Sequence, residues 1–427
     1  MCLPSLMRAS ALCFVLLAGC VANPSSAPPP VSLEGERTWY GAIGPLVGQR
    51  CALCHRPGEI GPFPLETYEQ VKGSLALVRD AVASKAMPPF PPEQSEASGC
   101  PPIDDGRKMS DAERAFLIAW LDDGAPEGER RELPRPQPAA PLGAPSDVWP
   151  MPEAYTTRGV GDEYRCMLLE PKHVAALPVA ALSVLPGNRA IVHHSAIYLI
   201  PADQLDAVRQ LDRADEGVGF DCFGGVGVER AYPAGLWVPG NDAPLVPPRG
   251  NVGYYFPVGW GVVVQQHYFS TQPQQDTSSV ALWRGGFVFP EVPYAGVFGD
   301  VSFSLPPRSK TTIETTTVVR PADSPYALFN QANAGSVYAV WAHMHLRGQA
   351  MEMDVIRPDG TEQCLLRIPR WDFHWQSIYR LANPVAVKAG ETIRVRCHFD
   401  NVSNEPISYG ENTGDEMCFA TISMTGR

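Results

Sequence analysis

From residue 153 to the C-terminus, apolar and β-branched residues alternate with polar ones in short runs, separated by Gly, Pro, Asn and Asp; residues 190–200, 262–269, 311–319, 338–345 and 392–399 are examples. A period of two puts one face of each run on a core and the other toward water, the pattern of half-buried strands. Turns at this spacing predict all-β sandwiches rather than a parallel sheet. The preceding segment has a different period. Residues 39–53 predict a short helix, and 58–64 a loop. Leu65, Tyr68, Val71, Leu75 and Val78 then recur at three-to-four spacing, an amphipathic helix that stops by Ala86, ahead of Pro88 and Pro89. Ser110 and Glu113 form a capping box for a last helix through Phe116 and Trp120 to Gly124. The stretch after Arg131 is rich in Pro and Ala and reads as a linker. The expected organisation is a small all-α domain over 36–131, a linker over 132–152, and two all-β sandwich domains over 153–290 and 291–427.

At the N-terminus Arg8 precedes an apolar run over 9–18, too short to cross a bilayer as a helix, so residues 1–19 read as a signal peptide. Its end, Leu17-Ala18-Gly19-Cys20, resembles a bacterial lipobox, which implies lipidation of Cys20 and a lipidated tether over 20–35. An ordinary secretory leader with an incidental cysteine is the alternative. Val21 stands where an inner-membrane retention signal has Asp. The expectation is therefore an exported protein, lipid-anchored to the bacterial outer membrane and facing the periplasm or the surface. With 19% charged residues and a net charge of -12, the acidity argues against nucleic acid as a partner, since phosphate binding needs clustered Lys and Arg.

Export permits disulfides. Of 11 cysteines, Cys2 and Cys13 leave with the leader, Cys20 takes lipid, and Cys51 and Cys54 fall in a C-x-x-C-H motif with His55. Cys100, Cys166, Cys222, Cys364, Cys397 and Cys418 remain, and the sequence leaves their pairing open. In an exported protein the C-x-x-C-H motif is a strong signal for covalent haem c, with two thioethers and a histidine on the iron. A redox dithiol or half of a zinc site also fits the motif, although no second C-x-x-C completes zinc. Met87 is the best-placed soft ligand after the motif; the alternative is core packing.

In the β region His343 and His345 sit two apart in V-W-A-H-M-H-L-R-G. Alternate strand residues share a face, so both imidazoles reach one metal, and imidazole suits copper, zinc and iron. Two histidines on a solvated strand face are the plain alternative. His193 and His194 are adjacent and would face opposite ways on a regular strand. Binding one metal requires the strand to end or bulge there, or the rings to use different nitrogens. His267, in Q-Q-H-Y, is a further nitrogen ligand or a core histidine.

The order H-H, Q-x-H-Y, H-x-H, D-E-M-C resembles the copper type II, ascorbate-dependent monooxygenases, the family of the peptidylglycine α-hydroxylating and dopamine β-hydroxylating enzymes. The resemblance covers residues 153–427. It implies two β-sandwich (jelly-roll-like) domains facing a solvent cleft, with one copper on each. His193, His194 and His267 would hold the electron-storing copper; His343, His345 and Met417 would hold the copper where O2 binds. It also implies disulfides Cys397–Cys418 and Cys166–Cys222, with no counterpart for Cys100 and Cys364. Gln265 falls where the family has a Gln between the sites, and His173, His374 and His398 are expected to be supporting or structural. The N-terminal segment resembles a small class I cytochrome c domain, with C-H-R-P-G-E-I-G-P-F and M-P-P-F similar to the variant fused to bacterial copper monooxygenases. Trp341 replaces the Arg with which peptide-amidating members clamp a carboxylate, and Thr421 replaces a substrate-facing Tyr; an apolar or aromatic C–H donor is the expected substrate. The implied activity is hydroxylation of a small organic molecule with O2 by two copper ions. Its electrons would come from the fused haem, with ascorbate or a redox protein as outside donor. The alternative is a haem/copper electron-transfer or copper-binding lipoprotein without hydroxylase activity.

Overall fold

The computed structural model describes residues 31–105, 108–133, 142–241, 244–246, 252–286, 291–321 and 331–426. The leader, Cys20, the start of the tether and the middle of the Pro-rich linker lie outside the described residues.

The alternating runs form strands close to where the pattern places them. The first β unit has a four-stranded sheet in the spatial order Asp147–Pro150, Ser279–Arg284, Leu177–Leu185, Tyr254–Phe256. Its five-stranded sheet runs Phe220–Asp221, Gly161–Leu169, Gly261–Ser270, Val192–Ile200, Tyr232–Trp237. The two inner faces share a core that includes Met167, Val184, Ile197, Phe256, Val264 and Leu282. The last residues of the expected linker thus belong to this unit, as the edge strand Asp147–Pro150. The second β unit repeats the plan. Val292–Asp300, Cys418–Gly426, Gly335–His343 and Ile378–Val387 form one sheet. Ala332–Asn333, Ser309–Arg320, Thr392–Asn401, Gly348–Ile356 and Glu362–Ile368 form the other. Phe298, Val340, Met353, Leu366, Ile393 and Ile422 fill the space between them. Each such side chain, fully buried, contributes roughly 1.5–3 kcal/mol.

The N-terminal helices pack around an apolar cluster of their own, with Trp39, Leu46, Val71, Leu117 and Trp120 at its centre. They are shorter than the periodicity predicts. The run at 39–53 divides at Gly41, whose φ of -82° and ψ of -108° leave the helical region; a π turn over Trp39–Ile43 precedes the helix Gly44–Arg50. The run from Leu65 splits into Tyr68–Lys72 and Leu75–Ala83, because Gly73 and Ser74 interrupt a pattern that apolar spacing alone reads as continuous. The last helix, Asp111–Asp122, has the expected capping box of Ser110 and Glu113. Glu113 also takes Arg50 at 2.7 Å, tying first helix to last.

Residues 89–105 leave this cluster and run along the second β unit. Ile103 bridges to Leu381, adding backbone pairing to the edge of a sheet. The Asp104 N–H donates to Arg380 O at 2.9 Å, the Ala382 N–H to Pro102 O at 2.8 Å, and the Glu93 N–H to Arg367 O at 2.8 Å. Ile103 enters the second core, and Phe90 meets Tyr379 edge-on at 6.3 Å. Cys100 and Cys364, unassigned from the sequence, form a disulfide across this contact. The two disulfides expected from the resemblance, Cys166–Cys222 and Cys397–Cys418, are also present.

Candidate metal centre

His193 and His194 open the strand Val192–Ile200, and His267 lies on its neighbour Gly261–Ser270. Val192 pairs with Tyr268 and His194 with His267, so His193 is an extra residue in a bulge. The bulge meets the demand that adjacent histidines turn to one side. One nitrogen from each of the three rings lies within 4.8 Å of the others. Asp162, on the strand Gly161–Leu169, accepts the His267 Nε2–H at 2.9 Å. That leaves the Nδ1 lone pair facing His194 Nε2 at 3.0 Å. His193 Nδ1 is buried with no hydrogen-bond partner among the described residues, an orphaned donor atom that a metal ion would satisfy.

His343 ends the strand Gly335–His343, and His345 lies just past it, so the pair does not share one regular strand face as the spacing predicts. The rings still meet, 5.1 Å apart and perpendicular. The residues before Met417 hold them. Asp415 O accepts the His345 Nδ1–H at 3.2 Å. The buried Glu416 accepts the backbone N–H of His345 at 3.0 Å and of Arg347 at 2.5 Å. Gln376 accepts the His343 Nδ1–H and is itself oriented by donating to Phe373 O at 3.0 Å. His343 Nε2 therefore points its lone pair at Met417 Sδ, 3.2 Å away. Cys397–Cys418 joins the residue after Met417 to the opposite sheet.

Burial keeps the five imidazoles neutral, the form that binds metal. His193 is pushed down to about 3 and His345 to about 4, His194 and His343 lie well below the usual histidine range, and His267 is lowered. Burial alone would raise the Asp162 carboxyl, but hydrogen bonds from His267 and from the Thr413 backbone and hydroxyl bring it to about 2.

The two histidine sets adjoin instead of facing each other across an open cleft. The rings of His194 and His343 are 5.8 Å apart. Phe373 stacks on His193 at 5.5 Å and meets His345 edge-on at 5.8 Å. Residues 411–413 of the second β unit reach the first. Thr413 donates to Asp162 through its N–H at 3.1 Å and its hydroxyl at 2.9 Å. Tyr164, stacked on His267 at 4.2 Å, donates to Glu411 O at 3.0 Å. Asp162 is thus shared by the three-histidine set and the loop leading to Met417. Replacing Asp162 with Asn should weaken metal binding at His193, His194 and His267 by about 10–100-fold, as loss of a ligand's hydrogen-bond partner does. Competition with a metal chelator measures this, and unchanged affinity would confine Asp162 to bracing Thr413.

A cavity of 390 Å³ between the two β units reaches His194, His343 and Met417. Trp341 and Thr421, the positions expected to face substrate, both line it and pair with each other across adjacent strands. Gln265 also lines it and donates to Cys222 O at 3.2 Å, with no hydrogen bond to the histidines among the described residues.

In the helical unit, His55 donates Nδ1–H to Phe63 O at 2.9 Å, which leaves its Nε2 as the free ligand nitrogen. Gly61 permits this approach, since a Cβ there would meet Cys54 O at 2.5 Å and His55 Nδ1 at 2.9 Å. Cys51 and Cys54 form no disulfide, and burial pushes the Cys51 thiol up to about 12. Met87 is placed by its backbone, its N–H donating to Ala81 O at 2.9 Å and its carbonyl accepting from Arg114 at 3.0 Å; no contact among the described residues joins its thioether to His55. Cys54, Ile60 and Pro89 share a small cavity with His193, His194 and Gln376, so the C-x-x-C-H motif faces the three-histidine set. Of the other histidines, His374 lines this cavity and pairs with Asp372, His173 binds Ala175 O, and His398 binds Thr312.

Asp162, Gln376, Glu416 and Phe373 were not singled out from the sequence. Glu416 had a signal, being part of D-E-M-C; Asp162 had none, standing 105 positions from His267.

An imidazole trio beside an imidazole–thioether set is donor chemistry that suits a soft or borderline metal such as copper. Residues 296–424 match the family model described as copper type II ascorbate-dependent monooxygenase, C-terminal domain. The protein is 31% identical over 88 residues to DBH-like monooxygenase protein 1 of Gallus gallus, covering 20% of this chain and 14% of that protein. It is 28% identical over 83 residues to putative DBH-like monooxygenase protein 2 of Homo sapiens, covering 19% of this chain and 17% of that one. The matched stretch thus spans less than a fifth of either relative. Among solved structures, a quasi-atomic PBCV-1 virus capsid aligns with 65% of this chain and 93% of that one, at 6% identity and a TM-score of 0.25, which supports no inference about this protein.

Proposed function

We propose that this protein is a copper-dependent monooxygenase that hydroxylates a C–H bond of a small organic molecule with O2. Its N-terminal helical unit would carry a covalent haem c that supplies the electrons. The observation that carries this reading is the meeting of two donor sets, His193, His194 and His267 with His343, His345 and Met417, beside one cavity. Copper held by these residues would supply one-electron redox chemistry and O2 activation, and the thioether would favour Cu(I) at the second set. The protein's own contribution is orientation and exclusion of water. Asp162, Gln376 and Asp415 O fix which nitrogen of their histidines carries the lone pair. Leu182, Leu236 and Ile378 in the wall of the cavity would shield the reacting C–H bond from water.

Cys51, Cys54 and His55 would hold the haem, with Met87 as the distal ligand; such a haem supplies electrons one at a time. The orientation of His55 and the cavity shared by Cys54 with His193 and His194 support this. Residues 89–105, bonded to the second β unit, would keep the donor in one pose instead of letting it swing on a linker. Ascorbate or a redox protein would be the outside donor. Export and lipid anchoring through Cys20 at the bacterial outer membrane complete the reading.

The test is oxygen consumption by the copper-loaded, haem-bearing protein with ascorbate, across a panel of apolar and aromatic C–H donors. Uptake that depends on an added substrate, with one atom of ¹⁸O2 in the product, is expected. Uptake indifferent to every donor would leave the electron-transfer alternative.

A further inference from the structure

Residues 411–417 belong to the second β unit, yet they touch both donor sets. At one end Tyr164, stacked on His267 at 4.2 Å, donates to Glu411 O at 3.0 Å. Thr413 donates its N–H and its hydroxyl to Asp162, whose Oδ1 also takes the His267 Nε2–H at 2.9 Å. At the other end Asp415 O accepts the His345 Nδ1–H, and Glu416 accepts the backbone N–H groups of His345 and Arg347. Met417 Sδ meets His343 Nε2. The segment between these ends is internally braced. The Asp415 N–H donates to Asn412 O at 2.9 Å, and the Asp415 carboxylate accepts the Asn412 N–H at 3.2 Å and its side-chain amide at 2.9 Å. The Gly410 N–H donates to Glu416 O at 3.2 Å and closes the base of the loop. A braced element that contacts two sites can carry coupling free energy between them, because a position favoured at one end is imposed on the other.

We propose that residues 411–417 are a strap that couples the two donor sets, so that filling either with a metal ion strengthens binding at the other. Tyr164 and Thr413 are its positioning residues: one meets His267 by stacking, the other through Asp162, and neither belongs to a donor set. Fixing the His267 ring fixes Tyr164 and Asp162, and through them the strap. Asp415 O, Glu416 and Met417 then stand where His343 and His345 need them, so a second ion finds its donors already ordered. Linkage makes the effect reciprocal. The inference rests on the two-set metal reading of the proposed function, but it requires neither haem nor substrate.

Anaerobic competition with a Cu(I) chelator, on full-length protein whose Cys51 and Cys54 carry haem or are alkylated, measures the coupling. The coupling factor is the overall affinity of the wild type for two ions, divided by the product of the single-site affinities in His343→Ala and His267→Ala proteins. The same factor is then measured with Tyr164→Phe and Thr413→Val added throughout, which removes two hydroxyl donors and leaves every proposed ligand in place. Neighbouring cations repel in either background, so the comparison isolates the strap. Cutting the strap should lower the coupling factor by about fivefold or more. A strap that only braces the fold would lower the single-site affinities and leave the factor unchanged. A second readout uses Cu(I) bound to His343→Ala protein, which fills the first set alone. It should slow deuterium exchange at the amides of His345 and Arg347, which bond to Glu416, and the protection should vanish with Tyr164→Phe and Thr413→Val. Coupling factors within about twofold of each other in the two backgrounds, or no protection of those amides, would overturn the strap and leave both metal sites standing. A wild type that binds fewer than two ions would overturn the two-set reading and the coupling with it.

Discussion

Copper-exposed wild-type protein is expected to hold two copper ions per molecule and His343→Ala protein one, with no substrate-dependent oxygen uptake by the variant. His343 is the residue of the second set whose nitrogen faces Met417 Sδ, at 3.2 Å. Without it, one imidazole and one thioether remain, too few donors to retain copper against washing. His193, His194 and His267 keep their bulge and their Asp162 partner, so the first ion should stay. The Ala side chain also leaves Gln376 without its imidazole partner, which costs about 1–3 kcal/mol of stability. Metal content by mass spectrometry, normalised to protein, gives the count, and thermal unfolding of the metal-free variant gives the stability cost. A wild type that binds one ion or none would sink the two-site reading and favour an electron carrier.

The second large effect is expected from separating Cys100 and Cys364. This disulfide joins residues 264 positions apart and ties the helical unit to the second β unit. Removing such a bridge typically costs about 2–5 kcal/mol, and long closed loops stand at the upper end of the loop-entropy estimate. The cost should fall on docking, because each partner retains its own core. In Cys100→Ser/Cys364→Ser protein the amides of Glu93, Asp104 and Ala382, which bond across the contact, should exchange with deuterium about tenfold faster or more. Amides of central strands such as Thr392–Asn401 should be unaffected. If the helical unit carries haem as proposed, the same release should move Cys54 and Pro89 away from His193 and His194 and slow re-oxidation of that haem by the copper-loaded sites. Unchanged exchange at those amides would mean that Phe90, Ile103 and the backbone bonds hold the unit without covalent help.

The local features were legible for local reasons. Strand alternation, the Ser110–Glu113 cap and the need for a strand end, a bulge or different ring nitrogens at His193 and His194 follow from spacing along one segment. Helix lengths were overestimated where Gly41 and Gly73 interrupt an apolar period, since periodicity records where a face continues and not where the backbone turns. Five histidines and Met417 stood out as a series of metal-ligand residue types in a known order. Asp162 and Gln376 did not, because an ordinary Asp or Gln acquires its role only from the ring it meets in space.

By itself the sequence determined the β class of the region from residue 153 onward, the residue types able to hold a metal, and the two disulfides implied by family resemblance. Tertiary structure alone decided that the two histidine sets adjoin, that Cys100 pairs with Cys364, and that residues 89–105 bind the second β unit. The physical reason is range. Propensity, capping and alternation act between near neighbours along the sequence. Packing between units, disulfide partnership and the satisfaction of buried polar atoms depend on distances that exist only once the separate cores have come together.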